Sequence, residues 1–310
     1  MLERFTDGNE FVEEYLANKQ YVFLTSSTAK YSELTYNWYL SLKQINLESN
    51  SLVVAHDKYC YRKLQSWGVP SVFLECNLPD HFSSKQWIEI EKETKLLSLY
   101  LLYKKFSCDF VFSDTDIIFL KNPYTKFLDM FSEDWYHIIA MSDKVFQPFH
   151  LKRKFGKEIT LSEDFGEAID YGVLPQHSLM YQINAGFSFL PNTATCEQYK
   201  YDSKDIKTFI LDFIKVFYKN STYFNKFPIM KESGCLQVLT NHRYAETNTK
   251  VKLVSNFDFV NGSLWKVPYL REYVKDKCYL IHYNFSKYLN PSLSLKDKVS
   301  QIKSDGFWFL

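Results

Sequence analysis

The sequence predicts an α/β fold with a mixed, mostly parallel central sheet flanked by helices. Three observations carry that expectation. Short apolar runs alternate with amphipathic helical stretches through the first third of the chain, the pattern of repeated strand–helix units with right-handed crossovers. The 310 residues suffice for one large α/β domain or two smaller ones, and no repeat, linker or low-complexity segment divides them. Finally, the apolar run Cys108-Asp109-Phe110-Val111-Phe112 leads into Ser113-Asp114-Thr115-Asp116. Ligands of open α/β sheets sit beyond such strand ends.

The elements follow in order. Tyr21-Val22-Phe23-Leu24 reads as a first strand, with Thr25-Ser26-Ser27 a loop or helix cap after it. Leu34 to Ile45 has helical spacing. Ser51 to Ala55 is a second strand ending at His56-Asp57, and Lys58 to Trp67 a helix stopped by Gly68 and Pro70. Ser71 to Leu74 is a third strand, and Trp87 to Lys105 a long amphipathic helix leading to the strand before Asp114. Trp135 to Met141 reads as a strand ending at Ser142-Asp143. Residues 146–180 contain Gly156, Gly166 and Gly172 and show no clear period, which suggests an insertion over the sheet. Ile183 to Leu190 is a strand whose Gly186 allows close backbone approach. Cys196 to Tyr218 and Glu232 to His242 look helical, Val251 to Val254 and Cys278 to Ile281 extended, and Leu293 to Lys303 closes the chain as a helix.

Composition excludes several classes. A formal net charge of +1 and the lack of a basic stripe give nucleic-acid binding no electrostatic support. No stretch of about 18 apolar residues predicts a transmembrane segment. Met1 to Asp7 has no apolar signal core, so a cytoplasmic protein is expected. The six cysteines form no Cys-x-x-Cys pair and read as reduced, mostly buried thiols. Sequons at Asn220, Asn261 and Asn284 read as accidental in that setting.

The chemistry concentrates at Asp114 and Asp116. A buried strand that ends in two acids needs a cation to meet them, because unpaired buried carboxylates cost several kcal/mol. Hard divalent cations prefer carboxylate oxygens. The pair therefore reads as part of a metal and polyphosphate site, against the plainer reading of two solvated turn residues. A haloacid-dehalogenase-type phosphatase also places Asp-x-Asp after an apolar strand, but it needs a later acidic pair, often with Gly-Asp, and this chain has no Gly-Asp dipeptide.

Several segments, in order and spacing, make the chain resemble the nucleotide-diphospho-sugar transferase family of GT-A-fold (Rossmann-like) glycosyltransferases. They are Val53 to Asp57, Leu64 with Gly68-Val69-Pro70, Lys95, and Phe112 to Pro123 around the two acids. Asp143, Ile183 to Phe187, Asn261-Gly262 and His282-Tyr283-Asn284 follow, and Lys298 with Gly306 and Trp308 ends the series. The resemblance runs from about Tyr21 to Leu310. It implies a single domain over 1–310, with a nucleotide-binding part at about 20–123, an acceptor part at about 144–182 and a closing part at about 183–310.

The resemblance also implies roles. Asp116 and His282 ligate Mn²⁺ or Mg²⁺, and Asp114 ligates it or binds ribose. Lys298, or Lys287, meets the phosphates. Thr25 and Asp57 hold the base and ribose, with ordinary caps and turns as the competing reading; Lys95 and Gly262 belong to the same donor-binding set. Asn184 and Asp143 contact the donor sugar, and Gln237 lies beneath the reacting carbon. Leu236-Gln237 stands where the family often has an acidic residue before Gln, which leaves no clear nucleophile. The expected activity is metal-dependent transfer, with retention, from a uridine-diphosphate galactose, glucose or xylose to a hydroxyl of a glycan or glycoprotein acceptor. A non-catalytic sugar- or partner-binding relative is the alternative.

Overall fold

The computed structural model describes residues 5–75, 95, 97–134, 136, 138–142, 183–201, 208, 251–255, 257–266, 268–284 and 294–310. Among them the strands are β1 (Tyr21–Ser27), β2 (Ser51–Ala55), β3 (Ser71–Phe73), β4 (Asp109–Ser113), β5 (Ile117–Phe119), β6 (Ile138–Ser142), β7 (Ile183–Leu190), β8 (Val251–Leu253), β9 (Phe259–Asn261) and β10 (Leu280–His282). Seven of these form the main sheet in the order β3-β2-β1-β4-β7-β6-β8. Its pairings are parallel except those of β7, which runs antiparallel to both β4 and β6. A second sheet has the order β5-β10-β9.

The first crossovers follow the sequence pattern. Helix Ser32–Gln44 joins β1 to β2, and helix Lys58–Ser66 joins β2 to β3. The latter begins at Asp57, whose carboxylate accepts from the Cys60 N–H, and ends before Gly68 at φ +70°, a conformation that favours glycine. Residues 97–105 are helical and cover one face of the sheet; the start of that predicted helix lies outside the described residues.

Two apolar layers sandwich the main sheet. Val22, Leu24, Leu52, Val54, Phe110 and Phe112 point one way, and Phe23, Val53, Ala55 and Val111 the other. This alternation is the period-two signature of strands buried on both faces. Much of the high aromatic content is core: Phe127 stacks on Phe189 at 4.8 Å between ring centroids and on Phe259 at 5.6 Å. Burying one such ring stabilises by about 1.5–3 kcal/mol.

Two local expectations are corrected. Thr25-Ser26-Ser27 is not a loop but the end of β1, because it pairs with Val53 to Ala55. Its polar groups are satisfied inside the protein: the Thr25 hydroxyl donates to the Ser113 carbonyl at 2.7 Å, and the Ser27 and Thr35 hydroxyls lie 2.6 Å apart. The helix expected over Cys196 to Tyr218 is interrupted: one helix runs from Thr193 to Tyr199 and ends at Lys200, φ +61°, and Thr208 is again helical. Residues 202–207 and 209–218, the predicted helix Glu232–His242 and the 146–180 segment lie outside the described residues. Cys60, Cys108, Cys196 and Cys278 are buried free thiols, as the sequence suggested. Among the described residues no helix is long and apolar enough to cross a membrane.

Candidate active site

Two strand pairings assemble the site. Asp114 follows directly on β4, and its N–H donates to the Gly186 carbonyl of β7 at 2.7 Å. The chain then turns through Asp116 into β5, which leaves the main sheet and pairs antiparallel with β10 in the register His282↔Ile117. The Tyr283 N–H donates to the Asp116 carbonyl at 2.9 Å, so His282 lies beside the second acid. Main-chain hydrogen bonds, more than side-chain contacts, bring the three groups together.

The side chains converge as a result. His282 Nε2 is 3.2 Å from Asp116 Oδ1 and 3.8 Å from Asp114 Oδ2. One ligand atom from each of the three residues lies within 4.8 Å of the others. Lys95 Nζ bonds Asp114 Oδ1 at 2.8 Å while resting over the Phe112 ring at 4.7 Å. Lys298 Nζ donates to Asp116 Oδ2. Each acid therefore has its own ammonium group. The Asn184 amide nitrogen is 3.4 Å from His282 Nδ1, and Asn184 Oδ1 accepts from the Gly186 N–H at 2.7 Å.

Burial and charge compete at Asp116. Burial alone would raise its pKa, but Lys298 and His282 outweigh it and hold the carboxyl well below the usual carboxylate range. Lys298 shows the mirror image: burial opposes its charge, and Asp116 more than restores it. Asp116 is 6 % exposed and Asp114 keeps 41 % of its side chain accessible, so the site opens on the Asp114 side.

The three donors suit a hard divalent cation, two carboxylates and one imidazole. Gly186 leaves space between these side chains. A Cβ there would lie 2.5 Å from Asp114 Oδ2, 2.6 Å from His282 Cε1 and 2.8 Å from Asn184 Oδ1. The sequence had marked Gly186 only as a place of close backbone approach; its neighbours are the candidate ligands themselves.

The structure places the remaining candidates as follows. Gly262 N–H donates to Asn284 Oδ1 at 3.1 Å, and a Cβ at Gly262 would stand 3.3 Å from the carbonyls of His282 and Asn284. This fastens the Asn-Gly turn to the His282 segment. Thr25 is fully buried and ties β1 to β4 through Ser113. Asp57 spends one oxygen on the Cys60 N–H and the other on the Ala29 N–H at 2.6 Å, as cap and clamp. Asp143, Gln237 and Lys287 lie outside the described residues. The sequon residue Asn261 is 3 % exposed, and its Oδ1 accepts from the Leu264 N–H.

Sequence reasoning missed three residues near this end of the sheet. Trp38 Nε1 donates to Ser113 Oγ at 2.8 Å beneath the two acids. His56 is buried, and burial pushes its pKa down to about 4, with the Leu74 backbone opposing the shift and Lys95 adding to it. Asp305 gathers four donors below His282. Trp38 and Asp305 sit in no local motif, and His56 was read only as a strand end.

Carboxylates, an imidazole and lysines gathered past the strand ends of a mixed, mostly parallel sheet stand where open α/β folds bind their ligands. The family profile of nucleotide-diphospho-sugar transferases matches residues 46–292, and the chain belongs to that family and is a glycosyltransferase. Similar solved structures include the bifunctional glycosyltransferase WbbM without ligand (11% identity, TM-score 0.45, 87% of this chain and 46% of that one). They also include the galactosyltransferase LgtC with donor and acceptor sugar analogues (12%, TM-score 0.45, 85% and 87%). Mouse xyloside xylosyltransferase 1 is similar at 10% identity and TM-score 0.41 over 85% and 97% of the two chains. The chain thus spans just under half the length of WbbM. No curated protein sequence matches significantly.

Proposed function

We propose that this chain transfers a sugar from a uridine-diphosphate donor to a hydroxyl of a glycan or glycoprotein acceptor, with a divalent metal and with retention. The observation that supports this reading best is the cluster of Asp114, Asp116 and His282 at the strand ends, with an ammonium on each acid. Asp114, Asp116 and His282 would hold Mn²⁺, or Mg²⁺. The metal supplies positive charge against the diphosphate as it departs.

The chain's own groups do the rest. Lys298 stands beside Asp116 and would meet phosphate oxygens of the donor. Lys95 holds Asp114 in orientation and presents a cation towards the donor sugar, where Asn184 offers an amide. Gly186 leaves the cradle unfilled. Leu236-Gln237 stands where the family often has an acidic residue before Gln, so front-side attack fits better than a covalent intermediate. In that step the acceptor oxygen bonds to the anomeric carbon as the C–O bond to phosphate breaks, and its proton passes to the departing phosphate oxygen. The acceptor side is assigned from sequence to about 144–182, and Asp143 and Gln237 keep their sequence-derived roles as proposals.

Calorimetry with Mn²⁺ and nucleoside diphosphates, followed by a screen of nucleotide sugars for hydrolysis, tests the reading. Uridine diphosphate should bind at least tenfold more tightly than guanosine diphosphate. Equal binding of the two contradicts the donor assignment, and full turnover in chelator contradicts the metal.

A further inference from the structure

The C-terminal helix Leu295–Ser304 carries Lys298 to the site and is followed at once by Asp305. The Asp305 side chain is 4 % exposed, yet it is fully engaged. Its Oδ2 accepts from Tyr283 OH and from Trp265 Nε1, each at 3.0 Å. Its Oδ1 accepts from Gln301 Nε2 at 3.0 Å and from Arg271 Nη1 at 3.4 Å.

These partners belong to different segments. Tyr283 follows His282 and holds the Asp116 carbonyl through its N–H. Trp265 ends the short helix that begins at Gly262, whose N–H is bonded to Asn284. Gln301 lies on the Lys298 helix itself. The tail beyond is fixed as well, with Asn37 donating to the Phe307 carbonyl at 3.0 Å and accepting from the Phe309 N–H at 2.7 Å. One buried carboxylate thus joins the imidazole segment, the Asn-Gly turn and the lysine helix. A carboxylate with a full set of donors is rigid, because losing any partner leaves desolvated charge behind.

We propose that Asp305 is a positioning residue that couples His282 to Lys298, so that metal and diphosphate are held as one unit. This inference rests on the metal–diphosphate reading of the site. Asp305 touches neither ligand; it acts by fixing the distance between the group for the metal and the group for the phosphates. Misplacement of such groups by about 1 Å can cost on the order of 100-fold in rate.

The test measures Mn²⁺ and uridine-diphosphate binding to the full chain by calorimetry in four forms: wild type, Asp305→Ala, Lys298→Ala and the double variant. Asp305→Ala should weaken uridine diphosphate in the presence of Mn²⁺ by about tenfold or more, and the double variant should bind no worse than Lys298→Ala alone. Additive losses overturn the coupling, as does unchanged binding by Asp305→Ala. Tyr124→Phe, which removes one buried hydrogen bond to Asp109 far from the cluster, controls for general destabilisation. It should leave both affinities intact; an equal loss there reduces Asp305 to a structural role and overturns the proposal. Should Asp305→Ala fail to fold, Tyr283→Phe replaces it, with a several-fold loss expected and no loss contradicting. If the wild type binds neither Mn²⁺ nor uridine diphosphate, the site reading fails and Asp305 with it; if it binds both, only the coupling is at stake.

Discussion

The Tyr283 N–H donates to the Asp116 carbonyl at 2.9 Å, and this main-chain bond sets a candidate imidazole ligand beside a candidate carboxylate ligand. The two come from segments that are remote in sequence and from strands of opposite direction. The consequences can be measured.

Asp116→Asn should lower transfer by at least about 1,000-fold, because stabilising the charge on the leaving group is the main contribution such a site makes to the rate. It also leaves Lys298 and His282 without their shared acid, so the metal-free protein should lose about 1–3 kcal/mol of stability in urea unfolding. Retained activity would refute the assignment of this residue.

Lys298→Met should move two affinities in opposite directions. In the donor-free protein the ammonium competes with the metal for Asp116 Oδ2, so its removal should tighten Mn²⁺ binding. Uridine-diphosphate binding should weaken, since the proposed phosphate contact would be lost. Calorimetry of each ligand separately decides it; two shifts of the same sign argue against the dual role.

Gly186→Ala tests the cradle. The added methyl would stand under 3 Å from Asp114, His282 and Asn184 side-chain atoms. The near-ultraviolet circular dichroism should be retained while Mn²⁺ affinity drops by about tenfold or more, as for a displaced ligand set. Wild-type affinity would mean that the three side chains do not act together.

Two buried groups should give stability opposing pH dependences. His56 has its pKa lowered to about 4 by burial. Its unfolded form binds a proton first, so its contribution is present above pH ~6.5 and is lost as pH falls towards 4. Asp109 has its carboxyl raised to about 6 by burial, against the hydrogen bonds it accepts from Thr195, Asn192 and Tyr124. Its contribution is largest below pH ~4 and is lost as pH rises through 6. His56→Leu removes this buried imidazole. The variant should be more stable than wild type at pH 5 by a wider margin than at pH 7.5, measured by chemical unfolding. An equal margin at both pH values contradicts a neutral buried imidazole.

Much of the fold was legible because it is local. A continuous apolar run placed β2 at Ser51–Ala55, and Gly68 with Pro70 placed the end of helix Lys58–Ser66. Asp114 and Asp116 were legible too, since an acid pair directly after an apolar strand is a contiguous signal. Thr25 and Asp57 were harder, because a polar residue at a strand end looks the same whether it serves a ligand or the backbone. In the fold Thr25 meets the Ser113 carbonyl, and Asp57 meets two N–H groups.

The sequence by itself determined where the strands of the main sheet lie, that two acids follow β4, and which family the motifs resemble. Only the tertiary structure decided that Ile117–Phe119 leaves the main sheet for β10, that Lys298 reaches Asp116, and that Asp305 stands behind both. The physical reason is register. Local periodicity sets which face of a strand is apolar, but which distant strand it meets, and at which residue, depends on pairing and packing summed over the whole chain.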